Sequence, residues 1–153
     1  MPLEIERKFL VDSSKWFPTD RGTKLTQAYL SLSPNPTVRI RIAGEKAFLT
    51  VKGLSNNISR PEFEYEIPVN EAQEMLKLAI SNPVEKIRYE IEYEGFIWEV
   101  DVFSGKNDGL ILAEIELNVE DQQFMKPGWL LDEVSTDDRY YNSYLSARPF
   151  TTW

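Results

Sequence analysis

Charged residues sit at every second position in a series of short segments that otherwise read as buried strands. The first is Glu4-Ile5-Glu6-Arg7-Lys8-Phe9-Leu10-Val11. Side chains two apart on an extended chain share a face. Glu4, Glu6 and Lys8 therefore point one way, and Ile5, Arg7, Phe9 and Val11 the other. The pattern returns in Arg39-Ile40-Arg41, Thr50-Val51-Lys52, Glu62-Phe63-Glu64, Lys86-Ile87-Arg88, Glu99-Val100-Asp101 and Glu114-Ile115-Glu116. It predicts eight strands, near 3–11, 24–32, 37–43, 46–52, 61–67, 85–93, 96–103 and 110–119. Gly44-Glu45 and Glu94-Gly95 are two-residue hairpin signals. Ser33-Pro34-Asn35-Pro36 and Ser104 through Gly109 are turn clusters. Short hairpins imply antiparallel neighbours.

Helical signals are fewer. Asn70-Glu71-Ala72-Gln73 has the form of a capping box, and Ala72, Met75, Leu76, Ala79 and Ile80 give an apolar stripe ending before Pro83. This predicts a helix to about Ser81. A short helix is expected over Asp121–Met125, a single turn over 12–17, and a final helix capped at Thr136-Asp137-Asp138 and running to Ala147. The expected fold class is α+β, dominated by strands: an eight-stranded antiparallel barrel with a few packing helices, as one domain over 1–153.

Composition narrows the chemistry. The chain is 42% apolar and 27% charged, ordinary for a folded soluble domain. It has no cysteine and no histidine, which excludes disulfides, thiolate nucleophiles, Ser-His-Asp triads and Cys/His zinc sites. Carboxylates remain as metal ligands, and they suit hard ions such as Mg²⁺ or Mn²⁺. The net charge of −8 argues against a nucleic-acid partner. No apolar run is long enough for a membrane span, and the charged start MPLEIERKFL is unlike a signal peptide. These features lead us to expect a cytoplasmic protein.

The alternation leaves two arrangements open. The charged face can be solvated over an apolar core, as in many antiparallel sheets. Alternatively the charged faces can line the barrel interior, with the apolar faces outward under helices. Two features favour the second. The polar positions are almost uniformly ionic, and like charges recur at i and i+2. At roughly 6–7 Å such a pair costs about 2.5 kcal/mol at an effective dielectric near 20. Acidic pairs are relieved by cations and basic pairs by a polyanion. Arg and Lys side chains can grip a phosphate chain while facing carboxylates hold divalent ions, which is the equipment of metal-assisted phosphoryl transfer.

Glu4-Ile5-Glu6-Arg7-Lys8 on the first strand resembles the ExExK signature of the CYTH superfamily, the triphosphate tunnel metalloenzymes. The resemblance continues in order through Gln27-Ala28-Tyr29-Leu30, the six alternating segments above and Asp138-Arg139-Tyr140-Tyr141-Asn142. It implies an eight-stranded antiparallel tunnel that binds a small triphosphate with Mg²⁺ or Mn²⁺. It also implies site roles. Lys8, Arg39, Arg41, Lys52, Lys86 and Arg88 would bind triphosphate; Glu4, Glu6, Asp101, Glu114 and Glu116 would hold metal. Glu62 and Glu64 would serve a second metal or the attacking water, and Glu4, Glu6, Lys8, Glu62 and Glu64 form the candidate catalytic set. Nothing in the chain demands a nucleoside, so the favoured activity is hydrolysis of tripolyphosphate to pyrophosphate and orthophosphate. A class IV-type adenylate cyclase, another nucleoside or organic triphosphatase, and a non-catalytic polyphosphate-binding module stay open. The expected assembly is a monomer or homodimer. Arg7 reads as an outer surface charge; Trp98, Phe96 and Val100 as outer core; Trp16, Phe17, Tyr140 and Tyr144 as packing anchors. Tyr29, Arg60 and the polar Gly53–Arg60 loop are further candidates for the tunnel mouth.

Overall fold

In a computed structural model, which describes residues 3–32, 36–54 and 58–153, the chain forms nine strands and two α-helices. The strands are β1 (Leu3–Val11), β2 (Thr23–Ser31), β3 (Thr37–Ala43), β4 (Lys46–Lys52), β5 (Ser59–Ile67), β6 (Val84–Tyr93), β7 (Phe96–Ser104), β8 (Ile111–Glu116) and β9 (Leu130–Glu133). The helices are α1 (Val69–Leu76) and α2 (Asn142–Ala147). All eight expected strands form within a few residues of their predicted limits. The turn expected at 33–35 and the polar residues 55–57 lie outside the described residues.

Every pairing is antiparallel, in the order β5-β4-β3-β2-β6-β7-β8-β1, and β1 returns to β5 to close the barrel. Strand β1 divides its free edge. Leu3, Glu4 and Ile5 pair with β5, whereas Phe9 and Val11 pair with β9, the strand the alternation did not reveal. Both predicted hairpins are two-residue turns. Gly44 has φ 61°, and Glu94-Gly95 has φ 49° and 82°, matching the twist of the strands they join.

The apolar faces point outward. Phe9, Trp98, Val100 and Ile115 form the largest core cluster with Trp16. Its cover is not the helix expected over Asp121–Met125. That segment is non-helical: Asn118 N–H donates to Gln122 Oε1 at 2.6 Å, closing a local turn, and Pro127 follows. Five residues between such signals cannot nucleate a helix. Instead Phe124 meets Phe9, Phe96 and Trp98 edge-on, and Trp129 meets Trp98 at 6.1 Å. Helix α1 covers a second cluster around Ile40 and Ala47. Its N-cap is Pro68 rather than Asn70, without a side-chain cap. It stops early because Ile80 N–H is drawn to the Tyr29 carbonyl of β2 at 3.0 Å. Phe17 is 65% exposed and anchors nothing, contrary to expectation, whereas Trp16 and Tyr140 are buried.

The inner face changes character along the barrel. At one end Leu10, Val84, Phe103 and Leu112 continue the faces of Lys8, Lys86, Asp101 and Glu114. They pack against Val134, Tyr140 and Leu145 of the C-terminal segment and fill that end. The expected single C-terminal helix is broken into a 3-10 turn at Asp138–Tyr140, capped by Asp137, and α2. The break lies at Tyr141, whose backbone is extended, and it turns Tyr141 and Asn142 toward the charged interior.

One glycine guards the packing of β6. Gly22 has φ +63°, and a Cβ there would lie 2.6 Å from Ile87 Cγ2 and 2.8 Å from the Arg88 carbonyl oxygen. Gly22→Ala is expected to cost about 1–3 kcal/mol from the left-handed backbone alone, with the contact added. Thermal melting checks this: the midpoint should fall by at least about 2 °C for a chain of this length.

Candidate active site

The inner charges sort into two arcs. Arg39 and Arg41 on β3, Lys52 on β4 and Arg88 on β6 make a cationic wall; β2, between them, contributes Gln27 and Tyr29. Glu99 on β7, Glu114 and Glu116 on β8, Glu4 and Glu6 on β1, and Glu62 and Glu64 on β5 make an acidic wall. Both arcs are contiguous around the barrel. Together with Asn142 they line a cavity of about 170 Å³, and among the described residues no apolar or aromatic side chain joins that lining. At about 30 Å³ per liquid water, the space suits five or six waters or one compact polyanion.

Ion pairs form where the arcs meet. At the β4/β5 seam, Lys52 Nζ lies 3.0 Å from Glu4 and 3.3 Å from Glu62. Arg39 lies 3.6 Å from Glu64, with Thr50 Oγ1 accepting from Arg39 and donating to Glu64 at 2.9 Å. At the β6/β7 seam, Arg88 grips Asp101 through two hydrogen bonds of 2.8 and 2.9 Å and donates to Glu99 at 3.2 Å. Lys86 Nζ is 2.7 Å from Asp101 and donates to Asn142 Oδ1 at 3.0 Å.

The middles of the arcs are left uncompensated. Arg41 Nε donates to the neutral Gln27 Oε1 at 2.8 Å, and no carboxylate of the described residues lies within ion-pair distance of it. Burial, with Arg39 and Arg88 nearby, lowers the Arg41 guanidinium to about 9. In the acidic middle, Glu6 and Glu116 stand directly opposite in the β1/β8 register. Burial, then Glu114 and Glu4, push the Glu6 carboxyl up to about 8. Burial and Glu4 also raise Glu116. Burial opposes ionisation of Glu114, but Lys8, Arg88 and Lys86 hold it well below the usual carboxylate range. Asp101 is likewise buried, yet Lys86 and Arg88 bring it down to about 2. Burial pulls the Lys86 ammonium down against the hold of Asp101, so the carboxylate is the firmly charged partner of that pair.

Four of the six predicted phosphate-binding cations, Arg39, Arg41, Lys52 and Arg88, therefore reach the main cavity, as do Glu4, Glu6, Glu62, Glu64, Glu114 and Glu116. Lys8, Lys86 and Asp101 do not. Lys8 Nζ donates to the Tyr140 carbonyl at 3.0 Å, lies 3.5 Å from Glu114, and lines a small side chamber with Glu4, Glu6 and Arg60. Both Asp101 oxygens are taken by Arg88 and Lys86. Arg7 is outside, near Glu133 and Phe124, as expected. The sequence-based site set omitted Glu99, Thr50, Gln27 and Asn142. Glu99 and Thr50 stood in the alternation, and Gln27 and Asn142 in the segments that carry the resemblance, but the last three are neutral and drew no role from the charge pattern. Arg60 and Tyr29 do reach the chambers, and the Arg60 guanidinium lies 4.9 Å from the Tyr141 ring centroid.

The CYTH domain family model matches residues 2–143. The chain belongs to the CYTH family. It is 47% identical over 151 residues to an inorganic triphosphatase of Acetivibrio thermocellus, covering 98% of this chain and 97% of that one. It is 36% identical over 150 residues to an inorganic triphosphatase of Nitrosomonas europaea, covering 94% and 96%. A crystal structure of an inorganic triphosphatase superposes with a TM-score of 0.68 at 35% identity over 95% of each chain.

CYTH membership implies a divalent metal, and the acidic wall fits one. Its donors are all carboxylate oxygens, and the carboxyls of Glu6 and Glu116, raised by burial and by neighbouring Glu4 and Glu114, are ones a cation would relieve. Among the described residues no three carboxylates already converge on one point. That suits a hard ion that takes one or two carboxylates and completes its shell with phosphate oxygens and water.

The Glu6 carboxyl makes metal-free stability depend on pH. Its folded pKa, about 8, lies above the ordinary 4.5. The stabilising proton is fully held below about pH 4.5 and is lost as pH rises through 8. Without metal, the wild-type midpoint should fall relative to that of Glu6→Gln between about pH 5 and pH 8.5; the comparison cancels Lys86, whose depressed ammonium acts in the opposite sense over the upper part of that range. Mg²⁺ or Mn²⁺ should raise the midpoint more at the higher pH. A wild-type midpoint that climbs relative to Glu6→Gln over this range would contradict the assignment.

Proposed function

We propose that this chain is a metal-dependent inorganic triphosphatase, hydrolysing tripolyphosphate to pyrophosphate and orthophosphate inside the barrel. One observation carries the reading: a cationic arc with a guanidinium that has no carboxylate partner among the described residues faces an acidic arc with crowded carboxylates at its centre. A polyanion needs the first, a divalent cation the second, and a metal–triphosphate complex needs both. The polar, almost wholly ionic lining favours a substrate without a nucleoside, and the two relatives described above bear the same activity in their names.

Arg41 and Arg39 receive phosphate oxygens in forked contacts, with Lys52 and Arg88 as flanking cations. One or two carboxylates of the set Glu4, Glu6, Glu114 and Glu116 would hold Mg²⁺ or Mn²⁺, which would supply charge neutralisation at the phosphate oxygens. Glu62 and Glu64 are the carboxylates beside the cations that can orient the attacking water and accept its proton. Asp101 keeps Arg88 aimed rather than binding metal. Lys8 steadies Glu114.

The test is phosphate release from tripolyphosphate, ATP and thiamine triphosphate side by side, with Mg²⁺ or Mn²⁺, while cyclic AMP is assayed from ATP. Fast cleavage of tripolyphosphate with slow ATP turnover is expected. Cyclic AMP as the main product would transfer the same residues to a cyclase, and binding without turnover would make the barrel a polyphosphate-binding module.

A further inference from the structure

The cavity holds one guanidinium set apart from the others by its partner. Arg39, Lys52 and Arg88 each have a carboxylate, as do Lys8 and Lys86 behind them. Arg41 has Gln27. Gln27 is fully buried, directly opposite Arg41 in the β2/β3 register and opposite Val84 in the β2/β6 register, so it is fixed from both sides. Arg41 Nε is a donor only, so the Gln27 amide must present its oxygen there. The amide nitrogen then has no hydrogen-bond partner among the described residues, an arrangement that costs stability. Both terminal nitrogens of Arg41 are free of protein hydrogen bonds among the described residues, and Arg41 lines the cavity.

Building on the triphosphatase reading, we propose that Gln27 is a positioning residue that sets phosphate affinity by holding Arg41 without neutralising it. A hydrogen bond at Nε fixes the guanidinium plane and leaves the two terminal nitrogens for one phosphate group. A neutral acceptor leaves the full positive charge for the substrate. A carboxylate at position 27 would hold Arg41 at least as firmly and would replace the unpartnered amide nitrogen with an oxygen. It would also cancel the charge the substrate needs. Position 27 thus opposes fold stability to substrate affinity.

The test compares Gln27→Glu with Gln27→Met. Gln27→Met removes the acceptor with little change of volume; Gln27→Glu keeps the acceptor and adds charge. The readouts are the melting midpoint, the KM and kcat for tripolyphosphate with Mg²⁺, and the calorimetric Kd for pyrophosphate with Mg²⁺. In Gln27→Glu the midpoint should equal or exceed that of the wild type, while KM and Kd rise about tenfold or more, equivalent to roughly 1.4 kcal/mol. Gln27→Met should melt lower yet lose less affinity, with kcat less affected than KM. A purely structural role gives the opposite order, because only Gln27→Met loses the hydrogen bond. Affinity within about twofold of wild type in Gln27→Glu, or a greater loss in Gln27→Met, would overturn the proposal. Should Gln27→Glu fail to fold, wild-type affinity in Gln27→Met overturns it alone. If the wild type binds pyrophosphate but turns nothing over, the triphosphatase reading fails while the Kd series still decides the role of Gln27.

Discussion

Asp101→Asn is expected to lower the melting midpoint of the metal-free protein by roughly 6–20 °C, from a loss of about 3–5 kcal/mol. Asp101 is buried and is the shared partner of two cations, Lys86 at 2.7 Å and Arg88 through two hydrogen bonds. An asparagine keeps an acceptor but removes the charge, leaving buried Lys86 without its counter-ion and half-buried Arg88 with Glu99 alone. Lys86 can relieve this by shedding its proton, which burial already favours. A lysine with a depressed folded pKa destabilises most at low pH, so the deficit should shrink as pH rises. If Asp101 served chiefly as a metal ligand, removing its charge would instead relieve repulsion in the metal-free protein and raise the midpoint. Melting in the presence of chelator therefore separates the two roles directly.

Arg41→Ala is expected to act in the reverse sense: large on substrate, small on the fold. Removing a forked, partly desolvated charge contact typically costs 2–5 kcal/mol, so the tripolyphosphate KM should rise by about 10²-fold or more. Arg41→Lys should recover only part of this, because an ammonium cannot make the forked contact. The metal-free, substrate-free protein should melt near the wild-type temperature, since relief of a half-buried cation with no carboxylate partner offsets the lost hydrogen bond to Gln27. Steady-state kinetics paired with melting curves checks both halves. A variant that loses stability but keeps its KM would place Arg41 in the scaffold rather than the site.

The strands were legible because alternation survives in sequence whichever face is buried. The pattern named the inward side chains, yet it could not say which strands are neighbours. The segregation into a cationic arc and an acidic arc depends on the order β4-β3-β2-β6 against β7-β8-β1-β5, a product of long-range pairing. Hence Asp101 read as one more acidic residue, although its register opposite Arg88 gives it away in three dimensions. Gln27 and Asn142 were invisible as site residues because neutral amides carry no charge pattern. Strand β9 is four residues long, with one short apolar pair and no alternation to announce it. The helical expectations failed where tertiary contacts competed with local signals: Phe124 in its aromatic cluster, Ile80 drawn to β2, and Tyr141 turned toward Lys8 and Arg60.

Joint action of the two charged arcs on a metal–triphosphate complex is what we propose for this barrel. The most direct measurement is phosphorus NMR of tripolyphosphate incubated with the protein in Mg²⁺, and again with chelator. Orthophosphate and pyrophosphate should appear in equal amounts with the metal, and neither without it. An unchanged tripolyphosphate spectrum in both Mg²⁺ and Mn²⁺, or turnover that survives chelation, would contradict it.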